Sequence, residues 1–594
     1  MTDPASPASA VLDFRPGTAG VEASFSDALR RAREQRWAER LMERDPTLWS
    51  DDPAVQAGIA ERLGWLDAPA AFAERTVSLE AFGEGIREAG FTAAVLGGMG
   101  GSSLAPDVLA TVFGTVEGWL PVRVLDSTDP AAVAAAVDDL DPLATLFIVS
   151  TKSGTTAETL AFQADAWGRV ERALRERRAP RGEQPGELMV AITDPEASLR
   201  AIPHHDSLRE VFLNPPDIGG RYSALTYVGV VPASLLGIDL DALLSRALVM
   251  LADCSEPDPA RNPGLALGLA VGTLARDGRD KLTFVADPEI ASFGAWAEQL
   301  LAESTGKQGV GIVPVDREPL GRPEVYGDDR VFVRLALQGS AGPATPSGEA
   351  ADALLERLEA AGHPVIRIGL DDPIDLGAEF VRWEVATAFA GAVLGIDAFD
   401  QPNVEESKHN TRAVLGDLGR GGTERDAPLA SGDGLILHGD TALRLSAGPG
   451  DLVGELRRHL ARLRPAGYLA IQAYIAPTEA RTEALTALRT LVRDRTKRAT
   501  TVGYGPRFLH STGQLHKGGA PIGCFLQLTA DHPVDRPIPG QPYTFGQLID
   551  AQAAGDLQAL EAHDLPVLRV HLGPDPDAGL AALDRALDAA LTEG

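Results

Sequence analysis

Two cysteines in 594 residues, Cys254 and Cys524, are too few and too far apart for a disulfide framework or a cysteine-rich zinc site. They fit a reducing compartment, and the expected location is the cytoplasm. Long apolar runs are missing too: none approaches the roughly 18 residues a membrane-spanning helix needs. The opening MTDPASPASAVLDF has neither the basic nor the apolar segment of a secretory signal. Positive charge is scarce, with 54 Lys+Arg against 84 Asp+Glu and a formal net charge of -30. Such a chain repels nucleic acid, so neither nucleic acid nor membrane is an expected partner. The deficit also sets a condition: an anionic ligand must be held by donors placed locally, against the field of the whole molecule.

What is present is ordinary globular composition, 44% hydrophobic and 23% charged, in a chain long enough for two to four domains. Residues 1–90 read as a Pro/Ala/Ser-rich tail of about twenty residues followed by amphipathic helices such as SFSDALRRAREQRWAERLMERD. From residue 91, short continuous apolar runs alternate with helical patterns, as in parallel sheets buried on both faces. The expected strands are 92–97, 122–126, 145–150 and 188–193, then 282–287, 330–337, 364–370, 468–475 and 522–529. The fold class is therefore α/β, with two doubly wound parallel-sheet domains spanning 91–270 and 271–594 behind the 1–90 segment. Polar, Gly-rich stretches at 338–350 and 416–434 read as loops.

Two strand-to-helix junctions carry candidate chemistry. In GGMGGSS (97–103) the glycines permit close backbone approach, and Ser102 and Ser103 stand where the next helix needs its N-cap. In STKSGTTAET (150–159), Ser150, Thr151, Ser153, Thr155, Thr156 and Lys152 follow a strand directly. Thr155 and Glu158 have capping-box spacing, but caps explain only one or two of these hydroxyls. Several hydroxyls at a helix N-terminus make a neutral cradle suited to a phosphate. Neither loop has the dinucleotide or P-loop spacing. The clustered histidines of PHHD (203–206) alternate faces if extended, so neither a metal nor a cofactor is expected.

STKSGTTAET resembles the phosphate loop of sugar-isomerase (SIS) domains, and LGGMGGSSLAP resembles the first glycine loop of one branch, the glucose-6-phosphate isomerase family. GGRYSAL (219–225), ESTGKQG (303–309) and FDQPNVEESK (399–408) resemble that family too. The resemblance implies flavodoxin-like SIS domains and aldose–ketose isomerisation of a hexose 6-phosphate through an enediol. It casts Glu303 as the proton-shuttling base and Arg221 as the cation beside the enediolate. Lys408 resembles the ring-opening lysine. Gly101, Ser102, Thr151, Lys152, Ser153, Thr156 and Gln401 become substrate contacts.

The family's ring-opening histidine normally precedes the FDQ motif. Here its match, FLHSTGQLHKGG (508–519), follows Lys408 and is itself followed by PYTFGQLI (542–549). His510 is the candidate, with Gln514 beside it as a further substrate contact and His516 and Lys517 as cationic neighbours of the phosphate. This order resembles the isomerase half of bifunctional transaldolase/glucose-6-phosphate isomerase chains. The 1–90 segment could be the trailing end of a lost transaldolase module, but it carries no Schiff-base lysine in a barrel-strand context. Since family members take this histidine from a dimer partner, a homodimer is implied, and whether His510 serves its own subunit is open. Two other readings remain: an isomerase that also takes mannose 6-phosphate, and a phosphosugar-binding regulator that keeps the loops without the catalytic groups.

Overall fold

The computed structural model describes residues 13–15, 19–177, 184–418, 427–446 and 448–592, without the side chains of 404, 405, 407, 408, 417 and 418. Most of the expected N-terminal tail, residues 419–426 of the expected 416–434 loop, and the Lys408 side chain therefore lie outside the described residues. Two pieces of the expected tail are described. Asp13–Arg15 pairs antiparallel with Val365–Arg367, and a helix already runs from Ala19 to Glu34. The helices expected before residue 90 follow, ending with Thr76–Glu88. Among the described residues no helix is long and apolar enough to cross a membrane.

Beyond these helices the chain builds parallel sheets whose strands are apolar on both faces, as the continuous runs require. In the first, the order is 122–125, 93–97, 145–150, 189–193, 210–213, all parallel. Its topological switch point lies between 93–97 and 145–150, where α/β sheets open a crevice at the strands' carboxyl ends. Both candidate loops leave from these two strands. The second sheet orders 313–315, 281–286, 330–337 and 365–370 in parallel, with 13–15 on its edge.

The strands beyond 468, which the sequence places with this second set, form a sheet of their own. Its parallel part orders 499–504, 468–474, 523–529 and 567–571, and an antiparallel pair, 430–432 and 435–439, closes one edge. A separate apolar core lies beneath it, including Leu469, Leu526, Leu568 and Leu583.

Two contacts fix this third sheet against the others. Tyr468, Ala470 and Leu515 pack with Val313 and Val315 of the second sheet. Beside them lies a buried charge cluster: the Glu318 carboxylate, fully buried, receives Arg330 at 3.0 Å, Arg493 at 3.6 Å and Arg489 at 4.0 Å. Arg489 and Arg493 come from the third sheet's helix Glu479–Thr496. Burial alone would raise the Glu318 carboxyl, but the three guanidiniums hold it below the usual range. Farther on, Ile538, Phe545 and Leu548 enter the core of the first sheet beside Val95, Phe147 and Phe162. At about 1.5–3 kcal/mol per large buried apolar side chain, they outweigh the partly exposed Arg536–Asp138 pair, a class worth roughly 0–1 kcal/mol.

Candidate active site

The first glycine loop is pressed between two other motifs. A Cβ on Gly101 would lie 2.1 Å from the carbonyl carbon and oxygen of Gly220, so only glycine lets this loop touch the GGRYS turn. Gly100, at φ +53, meets the backbone of His510 in the same way, its notional Cβ 2.6 Å from that carbonyl oxygen. The loop is thus the wall that brings Arg221 and His510 to one place.

Arg221 is almost wholly buried, and each guanidinium nitrogen has an acceptor. Nε donates to Ser304 Oγ (2.7 Å), Nη1 to Gln401 Oε1 (2.9 Å), and Nη2 to the carbonyls of Ala398 and Asp400 (2.8 and 3.0 Å). Nη1 also lies 3.5 Å from Glu303 Oε1. Glu303, near the end of the helix Phe293–Thr305, is 8% exposed. Its other oxygen accepts from Gln299 Nε2 at 3.0 Å, one helical turn earlier. The same Nε2 donates to the His510 carbonyl at 2.7 Å. One amide therefore ties the candidate base to the candidate ring-opening residue.

His510 ends a short turn after strand 499–504, and its Nε2 lies 3.1 Å from Glu158 Oε1. The sequence pairs Glu158 with Thr155 in a capping box, and that box is not formed. The N-cap of the helix Ala157–Glu176 is Thr156, with no side-chain cap. Thr156 Oγ1 instead accepts from Thr151 Oγ1 at 3.2 Å. Glu158 reaches across to His510 and also accepts from Gln552 Nε2 at 2.6 Å, while Gln552 Oε1 accepts from Thr128 at 2.6 Å. The helix end is left open toward a cleft of about 340 Å³, within the range of small-molecule sites. Ser153, Thr155, Thr156, Glu158, His510 and Tyr543 line it, with Arg412 on the helix Val404–Leu418.

Not every expected contact reaches this cleft. Lys152 turns to the other side of its loop, where Nζ pairs with Asp194 and donates to the Pro216 carbonyl at 3.1 Å. The loop bends through residues 152–154, with Gly154 at φ +68, and Ser153 lines the cleft while Lys152 does not. Ser102 and Lys152 together line a separate, much smaller crevice. Gln514 is fully buried and braces the scaffold: it accepts from the Asn403 amide and donates to the Gly306 carbonyl, both at 2.9 Å. His516 and Lys517 are not phosphate neighbours. Burial holds His516 far below the usual imidazole range among Tyr468, Phe508 and Phe525, and Lys517 is buried against Asp556 at 2.9 Å.

Sequence reasoning missed Glu158 in this role, and it missed Gln299 and Lys307. Lys307 sits inside ESTGKQG, where nothing in the sequence gives it a task. Its buried ammonium contacts the Asp397 carbonyl (2.6 Å), the Asp400 carbonyl and Asp400 Oδ1 (2.6 Å), so it holds the loop that carries Gln401. Burial first, and Arg221 second, push this amine down to about 8. Among the described residues no group of three or more His, Cys, Asp or Glu side chains could hold a metal ion.

The family model for phosphoglucose isomerase matches residues 33–316. Glucose-6-phosphate isomerase of Rubrobacter xylanophilus is 31% identical over 409 residues, covering 61% of this chain and 92% of that one. The enzyme of the same name from Thermus thermophilus is 31% identical over 396 residues, covering 59% and 90%. A solved structure of a hypothetical protein, also from Thermus thermophilus, is 27% identical with a TM-score of 0.55, covering 68% of this chain and 99% of that one. Spanning more than nine-tenths of a relative with which it shares nearly a third of the aligned residues, the chain belongs to the phosphoglucose isomerase family.

Proposed function

We propose that the chain interconverts glucose 6-phosphate and fructose 6-phosphate. The observation that carries the reading is the Gln299 amide, which joins Glu303 to the His510 backbone while Arg221 stands 3.5 Å from the same carboxylate. Base, cation and ring-opening group are thereby held as one unit.

The phosphate enters the cleft at Ser153, Thr155 and Thr156, where the uncapped helix end offers N–H donors. His510, oriented by Glu158, gives a proton to the ring oxygen as the C1–O5 bond breaks, and the O1 hydroxyl gives up its own proton to water, forming the open-chain aldehyde. Lys408, expected to assist, lies on the adjoining helix. The Glu303 carboxylate then removes the proton at C2, and the electron pair forms the C1–C2 double bond of the enediolate. Arg221, fixed by four hydrogen bonds, meets the developing negative charge without reorganising. The O2 hydroxyl proton passes to O1, and return of the first proton from Glu303 to C1 then gives the ketose and regenerates the carboxylate. No step needs a metal or a redox cofactor. His510, Glu158 and Glu303 come together within the one chain.

A coupled assay with fructose 6-phosphate tests this. The wild type turns over, and Glu303→Gln loses roughly 10²–10⁴-fold in kcat, the range for a general base. Absence of turnover in the wild type would sink the reading. Full activity of Glu303→Gln would remove Glu303 from it.

A further inference from the structure

The cleft poses a charge problem. A sugar phosphate arrives as an anion on a chain of net charge -30. The hydroxyl loop is neutral, and its own lysine, Lys152, is committed to Asp194 on the far side. Glu158 adds a further carboxylate to the wall. Arg412 is the one lysine or arginine that lines the cleft among the described residues, and its guanidinium forms no ion pair or hydrogen bond among them. It is exposed, and it lines the same cleft as Ser153, Thr155 and Thr156. The helix that carries it, Val404–Leu418, also carries Lys408, four positions earlier and so on the same helical face about 6 Å along the axis.

Resting on the isomerase reading, the geometry points to Arg412 as the residue that seats the sugar phosphate in the hydroxyl loop, supplying the positive charge that Lys152 does not. Its planar fork suits two phosphate oxygens at once. With no partner among the described residues, it gives up no such contact when the ligand binds. It binds the handle of the substrate and takes no part in proton transfer. It is therefore a specificity residue for phosphorylated over free hexose.

The experiment compares wild type, Arg412→Ala, Arg412→Lys and Lys152→Met, using fructose 6-phosphate turnover and inorganic phosphate as a competitive inhibitor. Arg412→Ala should raise KM and the phosphate inhibition constant about tenfold, the lower end for a hydrogen bond to a charged group. Its kcat should stay within about twofold and its melting temperature should not move, because an exposed, unpaired side chain carries little stability. Arg412→Lys should restore much of the affinity, and Lys152→Met should raise KM less than Arg412→Ala. The wild-type KM should climb with ionic strength and the Arg412→Ala KM should climb less. Unchanged KM and phosphate affinity in Arg412→Ala would overturn the assignment. So would a larger KM effect from Lys152→Met, or a loss confined to kcat. If the wild type turns nothing over but Arg412→Ala still binds phosphate about tenfold more weakly, the isomerase reading fails and the anion-seating role stands.

Discussion

At one end of the site Arg221 and Glu303 are buried, and every guanidinium nitrogen already has an acceptor. At the other end the hydroxyls of Ser153 and Thr155 bond mainly to each other, the helix end is uncapped, and Arg412 stands exposed. On the proposed isomerase reading, the first end is finished before substrate arrives, and the second is completed by it. Groups that stabilise a transition state work best when they need not move. Groups that capture a charged handle work best when their hydrogen-bonding capacity is still unspent. The same chain therefore commits its buried polar partners to the chemistry and leaves its exposed ones at the entrance.

That contrast can be broken, and the largest blow falls on the finished end. Arg221→Lys keeps a charge but loses the fork that reaches Ser304, Gln401 and two carbonyls. Its kcat should fall about 10²-fold with a smaller change in KM, measured beside the melting curve. A larger change in KM than in kcat would show that the buried end binds rather than catalyses.

Next comes His510→Ala, assayed from freshly opened and from cyclic substrate pools. The cyclic pool should slow by on the order of 10²-fold and the open-chain pool far less. Equal losses would contradict a ring-opening role. Glu158→Gln should show the same asymmetry at smaller size.

The gentlest probe is pH at Lys307. The folded chain releases this proton near 8 and the unfolded chain near the ordinary 10.5. Between those values the unfolded state binds one more proton, so this group makes stability rise with pH. Activity that needs the charged amine to hold the 397–401 loop should fall several-fold over the same interval. Lys307→Met should flatten both limbs. Parallel rather than opposed trends in the wild type would refute the assignment.

Much of this is legible in the sequence where apolar runs are long and uninterrupted. The strands 93–97, 145–150, 330–337 and 523–529 sit within a residue or two of their expected bounds. The strands 210–213, 499–504 and 567–571 are not among the expected ones, because EVFL, ATTVGY and VLRVH are short and broken by polar residues or glycine. Without the last two, the third sheet could not be separated from the second. At the site, motif resemblance proposed Arg221, Glu303 and His510, and the structure brings the three together. Glu158 escaped because the spacing Thr-x-x-Glu is the same whether the carboxylate folds back or reaches a histidine 352 positions away. Lys152 misled for the converse reason: a lysine in a phosphate loop says nothing about which side of the loop it faces. The family model ends at residue 316, short of Gln401, Arg412 and His510; motif resemblance marks the first and third of these, and only geometry marks Arg412.

The knot of Glu318 with Arg330, Arg489 and Arg493 bears on how substrate gets in and out. Swinging the third sheet away from the second would pull Arg489 and Arg493 off the Glu318 carboxylate and expose the apolar contact of Tyr468 and Leu515 with Val313 and Val315. The histidine is thus mounted on a wall rather than on a door. Traffic must pass through the mouth of the cleft by small movements of side chains such as Tyr543 and Arg412, so turnover should be paced by local gating instead of hinge opening.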